Sequence, residues 1–232
     1  MSATPKGCLI PEITHQPTAV MLYGESESLL NWLLYAILVR GNPQFRWTDV
    51  REKGAALDPL DPLAQGIVPA SQLNVVEPEQ LTPHQRVPSP TPDMIRDEES
   101  SEGVRRLTDF MRLPTRTQEF IARTTAPGRL ALVGLSNAQR LLPRFNPESI
   151  QSTIRSFLEA GASLILTMAG SIPAGRVYQF EIRVDGKNPR RWKEATFRCT
   201  LGDSVGPVRA GRSMRFGDIP EVAEVLGPLL PA

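Results

Sequence analysis

"GESESLLN", Gly24 to Asn31, joins a short apolar run, "TAVMLY", to a strongly apolar one, "LLNWLLYAILV". The first run is short, apolar and closed by a glycine, as a buried strand is. The second predicts a helix over Leu29 to Val39 that is apolar on nearly every face, and so lies inside the fold. Ser26 or Ser28 is placed to cap it by accepting from a free backbone N–H. Glu25 and Glu27 suit the positive end of its dipole. "RGNP" (40–43) ends it, with glycine past the last turn and proline beyond.

At 232 residues the chain is long enough for a substantial core, and its 41% hydrophobic and 22% charged residues fit a soluble globular protein. A net charge of +1 gives no global attraction to nucleic acid or membrane, so such a role needs a local patch. Two cysteines, Cys8 and Cys199, make no disulfide framework and have no metal-ligand spacing. The N-terminal residues carry prolines and charge where a signal peptide needs a continuous apolar stretch. Leu29 to Val39 spans eleven residues, short of the ~20 that cross a bilayer. A cytoplasmic protein without a membrane partner is the expectation.

Further strands are predicted at "QFRWTDVR" (44–51), "QLNVVEP" (72–78), "GRLALVGL" (128–135) and "ASLILTMAG" (162–170). "RVYQFEIRV" and "WKEATFRCT" read as a hairpin turning at "DGKN" (185–188). Residues 83–103 hold four prolines and an acidic cluster and predict a mobile surface loop. Helices are expected after Val104, over "NPESIQSTIRSFLEAG" (146–161) with Asn146 as cap, and at "IPEVAEVLGPLL" (219–230). Six to eight strands in a mostly parallel sheet with an antiparallel C-terminal hairpin follow: an α/β fold.

The order of these elements resembles the RecA-like P-loop ATPases, in particular the KaiC and RadA group. In that family the first strand runs into G-x-x-x-x-G-K-[ST], whose backbone and lysine hold phosphates and whose hydroxyl holds Mg²⁺. Here Gly24 matches the first glycine, but Leu29, Leu30 and Asn31 stand at the second glycine, lysine and hydroxyl positions. Glu25 and Glu27 add uncompensated negative charge, with Ser26 and Ser28 between them. "RLALVGLSNAQRLL" (129–142) resembles the Walker B strand, with Gly134 where the metal-orienting aspartate belongs. The resemblance implies a three-layer α/β/α domain over 18–232 after an N-terminal extension, 1–17, and a nucleotide site without catalytic residues, metal or cofactor.

Other candidates are weaker. His15 and His84 lie in proline-rich segments and read as surface histidines. Glu77 and Glu79 follow an apolar run and could sit at the sheet's carboxyl edge near Gly24, where a carboxylate without a cation site has nothing to activate. Between Ser171 and Phe216 stand ten basic and four acidic residues. Lys187, Arg190, Arg191, Trp192 and Lys193, with Arg212 and Arg215, form a candidate nucleic-acid or anion surface, Trp192 reading as an exposed aromatic between cations. The favoured reading of these cations is a solvated hairpin whose arginines alternate along the strands, face both sides, and protect an edge.

The function expected from these features is a non-catalytic RecA-like domain, a pseudo-ATPase acting through a protein partner. The partner would be an intact RecA-like paralogue or a second copy. The acidic stretch 93–102 and the basic hairpin are its candidate docking elements. Nucleic-acid binding through the arginine-rich region is the alternative, and ATP binding by a non-standard loop is the weaker one.

Overall fold

A computed structural model describes residues 7–77, 130–141, 151, 154–155, 157–159, 161–170, 178–202, 204–205 and 208–230. The expected loop at 83–103, the helices after Val104 and the cap at Asn146 lie outside them. The apolar run at 18–23 forms β1 (Ala19–Gly24), and "LLNWLLYAILV" lies within α2 (Glu27–Gly41). A four-residue helix, α1 (Glu12–His15), precedes them. The remaining sequence-predicted strands become β2 (Arg46–Val50), β3 (Leu73–Val76), β4 (Ala131–Ser136), β5 (Ala162–Ala169), β6 (Phe180–Asp185) and β7 (Thr196–Leu201). The two-residue β8 (Ser204–Val205) and β9 (Val208–Arg209) pair as a separate ribbon, and β10 (Ser213–Arg215) joins the main sheet.

The eight-stranded sheet runs β10-β7-β6-β1-β5-β4-β2-β3. Six strands, β3 to β6 in that order, are mutually parallel, and β7 is antiparallel to both β6 and β10. The central strands are buried along almost their whole length because both faces are covered, with Ser136 of β4 and Ser163 and Thr167 of β5 the polar residues among them. Val20, Leu22, Leu132 and Ile165 join α2 and the C-terminal helix, α3 (Pro220–Leu226), in one core cluster. Ala19, Met21, Val133, Leu135, Leu164 and Leu166 join Ile154 and Phe157 of the helical residues before β5 in the other. Cys8, Leu9, Ile10 and Ile13 are buried in the first cluster, and the Ser163 hydroxyl donates to the Ile13 carbonyl at 2.9 Å. The segment at 8–13 is therefore packed on the sheet.

Three local expectations are corrected. Gly41 is the last residue of α2 and not a residue beyond it; Asn42 is the C-cap, its N–H donating to Leu38 at 2.9 Å. A Cβ at Gly41 would collide with Leu132, so the glycine serves helix–strand contact and not a left-handed cap. Gly134 is not at a strand end, because β4 continues to Ser136. A Cβ at Gly134 would stand 2.7 Å from Leu38 Cδ1 and 3.3 Å from Leu34, so this position lets α2 lie close on the sheet. β6 and β7 are not joined by a tight "DGKN" turn. Asn188 accepts from the Arg190 N–H at 2.9 Å and starts a 3-10 segment, Pro189–Glu194, that carries the chain over to β7.

A sealed polar network at the carboxyl edge of the sheet

The N-terminus of α2 and the ends of the parallel strands share one edge, where ligands bind in open α/β sheets. Ser26 is the N-cap, accepting from the Leu29 N–H at 3.3 Å. Leu29 and Leu30 are fully buried in the core cluster. Gly24 is required by its neighbour strand, since a Cβ there would collide with the Val184 carbonyl oxygen. The carboxylates of this turn are compensated, contrary to expectation. Glu27 receives both a guanidinium nitrogen of Arg140, at 2.8 and 3.1 Å, and the Gln139 amide at 2.9 Å. Glu25 lies 3.3 Å from Lys187 on the surface. The two partners of Glu27 come from the 3-10 turn after β4, Ala138–Leu141, which the sheet order brings to this edge.

The first turns of α2 are also bonded by the loop between β2 and β3, whose Asp, Pro and Gly content marks it as a loop in the sequence. "DPLDPL" repeats an Asp-Pro-Leu unit at 58–60 and 61–63. In each, one carboxylate oxygen accepts from the backbone N–H two residues on, Leu60 and Leu63, both at 2.9 Å. These are Asx turns, which the side chain of aspartate favours. The other oxygen faces the helix: Ser28 donates to Asp58 at 2.9 Å, and Asn31 to Asp61 at 2.8 Å. The Trp32 indole N–H donates to the Leu60 carbonyl at 2.7 Å and pins the same loop. Burial, the largest effect, pushes the Asp61 carboxyl up to about 6. Asn31 and the Leu63 N–H pull it down, Asp49 raises it and Arg51 lowers it.

A second set of bonds lies alongside. Asp49, at the end of β2 and fully buried, accepts from Ser136 Oγ at 2.7 Å, Asn137 Nδ2 at 2.9 Å, and Arg51 Nε and Nη2 at 2.9 and 2.7 Å. The Trp47 indole donates to Ser136 at 2.8 Å. Asn137 stands at φ 60°, a left-handed conformation that asparagine tolerates better than most residues. Its N–H donates to Thr167 Oγ1 at 3.0 Å, and Thr167 reaches Asn31 at 3.5 Å. A carboxylate thus does meet the end of β4, but it comes from β2, and its lone pairs are taken by four protein donors. Asp49, Arg51, Asp58, Asp61 and Thr167 were not singled out from sequence. The doubled Asp-Pro-Leu and the charge inside "WTDVR" were the available signals.

The remaining candidates disperse. Glu77 follows β3, four strands from β1, or roughly 19 Å by strand spacing, and so is not near Gly24. Glu79 and His84 lie outside the described residues; His15 is exposed on α1. Trp192 is 1% exposed and part of the core, so it offers no ring for stacking on a base. Its neighbours Arg190, Arg191 and Lys193 are exposed, with Lys193 5.8 Å over the indole and Arg191 3.9 Å from Glu194. Lys187 and Arg191 line a shallow depression of about 350 Å³ with Gly186, Asn188, Glu194 and Ala195. Arg212 and Arg215 are exposed on and before β10. Among the described residues no group of three or more His, Cys, Asp or Glu side chains is placed to hold a metal. No helix among them is long and apolar enough to cross a membrane. No protein-family model matches the chain, and no curated protein matches it in sequence.

Proposed function

We propose that this chain is a RecA-like domain in which the protein's own carboxylates occupy the polar positions of a nucleotide site, and that it acts as a non-catalytic partner subunit. The observation that carries this reading is the bonding of α2's first turns to the loop: Ser28 to Asp58 and Asn31 to Asp61. Asn31 stands at the metal-ligand position of the phosphate loop that the sequence resembles. Its amide nitrogen is spent on Asp61, and Leu30 fills the core where a phosphate-binding lysine would project. An incoming triphosphate would have to displace Glu25 and Glu27 from Lys187 and Arg140, the cations paired to this turn, and would meet the further carboxylate of Asp58.

The sheet supports the same assignment. Six parallel strands in the order β3-β2-β4-β5-β1-β6, followed by an antiparallel β7, fit the RecA-like plan. A domain that keeps this frame without its phosphate chemistry has association as its remaining output, with an intact RecA-like subunit or with a second copy. The test is equilibrium dialysis of the whole chain with radiolabelled ATP and Mg²⁺, beside sedimentation analysis of the chain alone and mixed with an intact RecA-like ATPase. Expected are no saturable nucleotide uptake and a concentration-dependent complex. Saturable micromolar ATP binding overturns the sealed site, and a chain that stays strictly monomeric both alone and in the mixture overturns the partner role.

A further inference from the structure

The strand arginines do not face both sides of the sheet. Along β6 and β7 the buried positions are Phe180, Ile182, Val184, Phe197 and Cys199, all on the α2 side. The alternate positions point away from it. Arg183 and Arg198 are register partners, Arg198 is paired in turn with Ser213, and Arg215 stands opposite Thr196. Arg183, Arg198 and Arg215 thus share one exposed face, and Arg209, at the end of β9, and Arg212, in the turn before β10, are exposed as well. Asp185 takes Arg183 at 2.8 Å, whereas Arg198, Arg209, Arg212 and Arg215 make no ion pair among the described residues.

We propose that this face binds the phosphate backbone of single-stranded nucleic acid, a role beyond the partner function above and independent of it. Three features select that ligand. The side chains are arginines, whose planar fork grips phosphate oxygens in pairs. Between the arginines stand the small hydroxyl residues Thr196, Thr200 and Ser213, which are common phosphate contacts, and the carboxylates on this face are Asp185, paired with Arg183, and half-buried Glu181, so the cations outnumber them. The face carries no large apolar anchor of the kind that holds protein interfaces; the large hydrophobics exposed among the described residues are Val75 and Leu229, neither of them on these strands. An acidic polypeptide is therefore the poorer fit. Trp192 is buried, and Tyr23 of β1, the register partner of Arg183, is half-buried with its hydroxyl donating to Thr200 at 3.2 Å, so phosphate contacts outweigh base stacking and recognition is independent of sequence. A flexible single strand can bend to bring its phosphates to these cations, which a stiff duplex does less readily. The arrangement also costs stability, because like charges directly opposite on neighbouring strands repel.

The experiment is fluorescence anisotropy of a labelled twenty-nucleotide oligothymidine with the full chain, titrated across salt. Log affinity is expected to fall linearly with log salt, with about 0.7 of slope per phosphate contact. Arg198→Glu with Arg215→Glu is expected to weaken binding more than about tenfold at low salt and to flatten that slope by about 1.4. Arg190→Ala with Arg191→Ala is expected to leave both nearly unchanged. Circular dichroism and a thermal melt establish that each variant is folded; should the charge reversals unfold the chain, Arg198→Gln with Arg215→Gln replaces them, with the same direction expected. Absence of salt-dependent binding, loss only on changing Arg190 and Arg191, tighter binding of the matching duplex, or equal competition by polyglutamate each overturns the assignment.

Discussion

The carboxyl edge of the parallel strands and the outer face of β6, β7 and β10 are both rich in charged and polar side chains, and they handle them in opposite ways. At the edge every strong group is answered from within: Asp49 by four donors, Asp61 by Asn31 and its own turn, Glu27 by Arg140 and Gln139. On the outer face Arg198 and Arg215 stand in solvent without an internal counter-ion among the described residues. A buried polar network is stabilising only when all its members are satisfied. An exposed cation has no such constraint and remains available to an external anion. The edge most like a catalytic site is thus the one whose polar groups are already bonded within the chain, and the face with the plainest sequence signature is the more open.

The contrast can be broken most severely at Asp49. Asp49→Ala leaves Arg51, Ser136 and Asn137 without their acceptor and is expected to cost about 3–5 kcal/mol, as breaking a buried ion pair does. Urea unfolding followed by circular dichroism measures it, and a loss below about 1 kcal/mol means the network relaxes easily and is not a seal.

A smaller effect is expected from pH. The Asp61 carboxyl is raised to about 6 in the folded chain from an ordinary 3.8, so the folded state holds its proton more tightly than the unfolded state does. The resulting contribution to stability is full below the unfolded value and is lost as pH rises through the folded one. Between pH 4 and 6.5 stability relative to an Asp61→Asn variant is therefore expected to fall with rising pH. Parallel pH profiles for the two proteins would show that Asp61 is not the titrating group. The smallest effect belongs to the open face, where Arg198→Thr relieves the repulsion from Arg183 and is expected to raise stability by about 0.2–1 kcal/mol. A lowered melting temperature would mean that the arginine packs usefully there and that the comparison is overdrawn.

Periodicity carried most of the frame, because buried parallel strands and a core helix leave continuous apolar runs that have few other readings. The β1–α2 unit and strands β4 and β5 were legible for that reason, and β2 by its alternating character. Two glycines were not. Gly24 and Gly134 look in sequence like remnants of a phosphate loop and a metal site, while in the fold a Cβ at either would strike Val184 or Leu38. That requirement is imposed by residues 160 and 96 positions away, and no local pattern encodes it. Trp192 was misread by the same limitation: cations on both sides in sequence suggested exposure, yet the 3-10 turn rotates the indole into the core. The network around Asp49 and Asp61 was invisible because its members come from three strands, the helix α2 and a loop, brought together only by the fold.

The three tryptophans have a practical meaning beyond packing. All of them are buried in one cluster, and two spend their indole N–H on the sealed edge: Trp32 on the carbonyl of Leu60 and Trp47 on the hydroxyl of Ser136. The intrinsic emission of the native chain is thereby tied to the closure of that edge. Lifting the Asp-Pro-Leu loop would admit water to Trp32 and move its emission to longer wavelength, leaving the signal from Trp192 in place. The protein carries its own optical gauge of whether the site is shut.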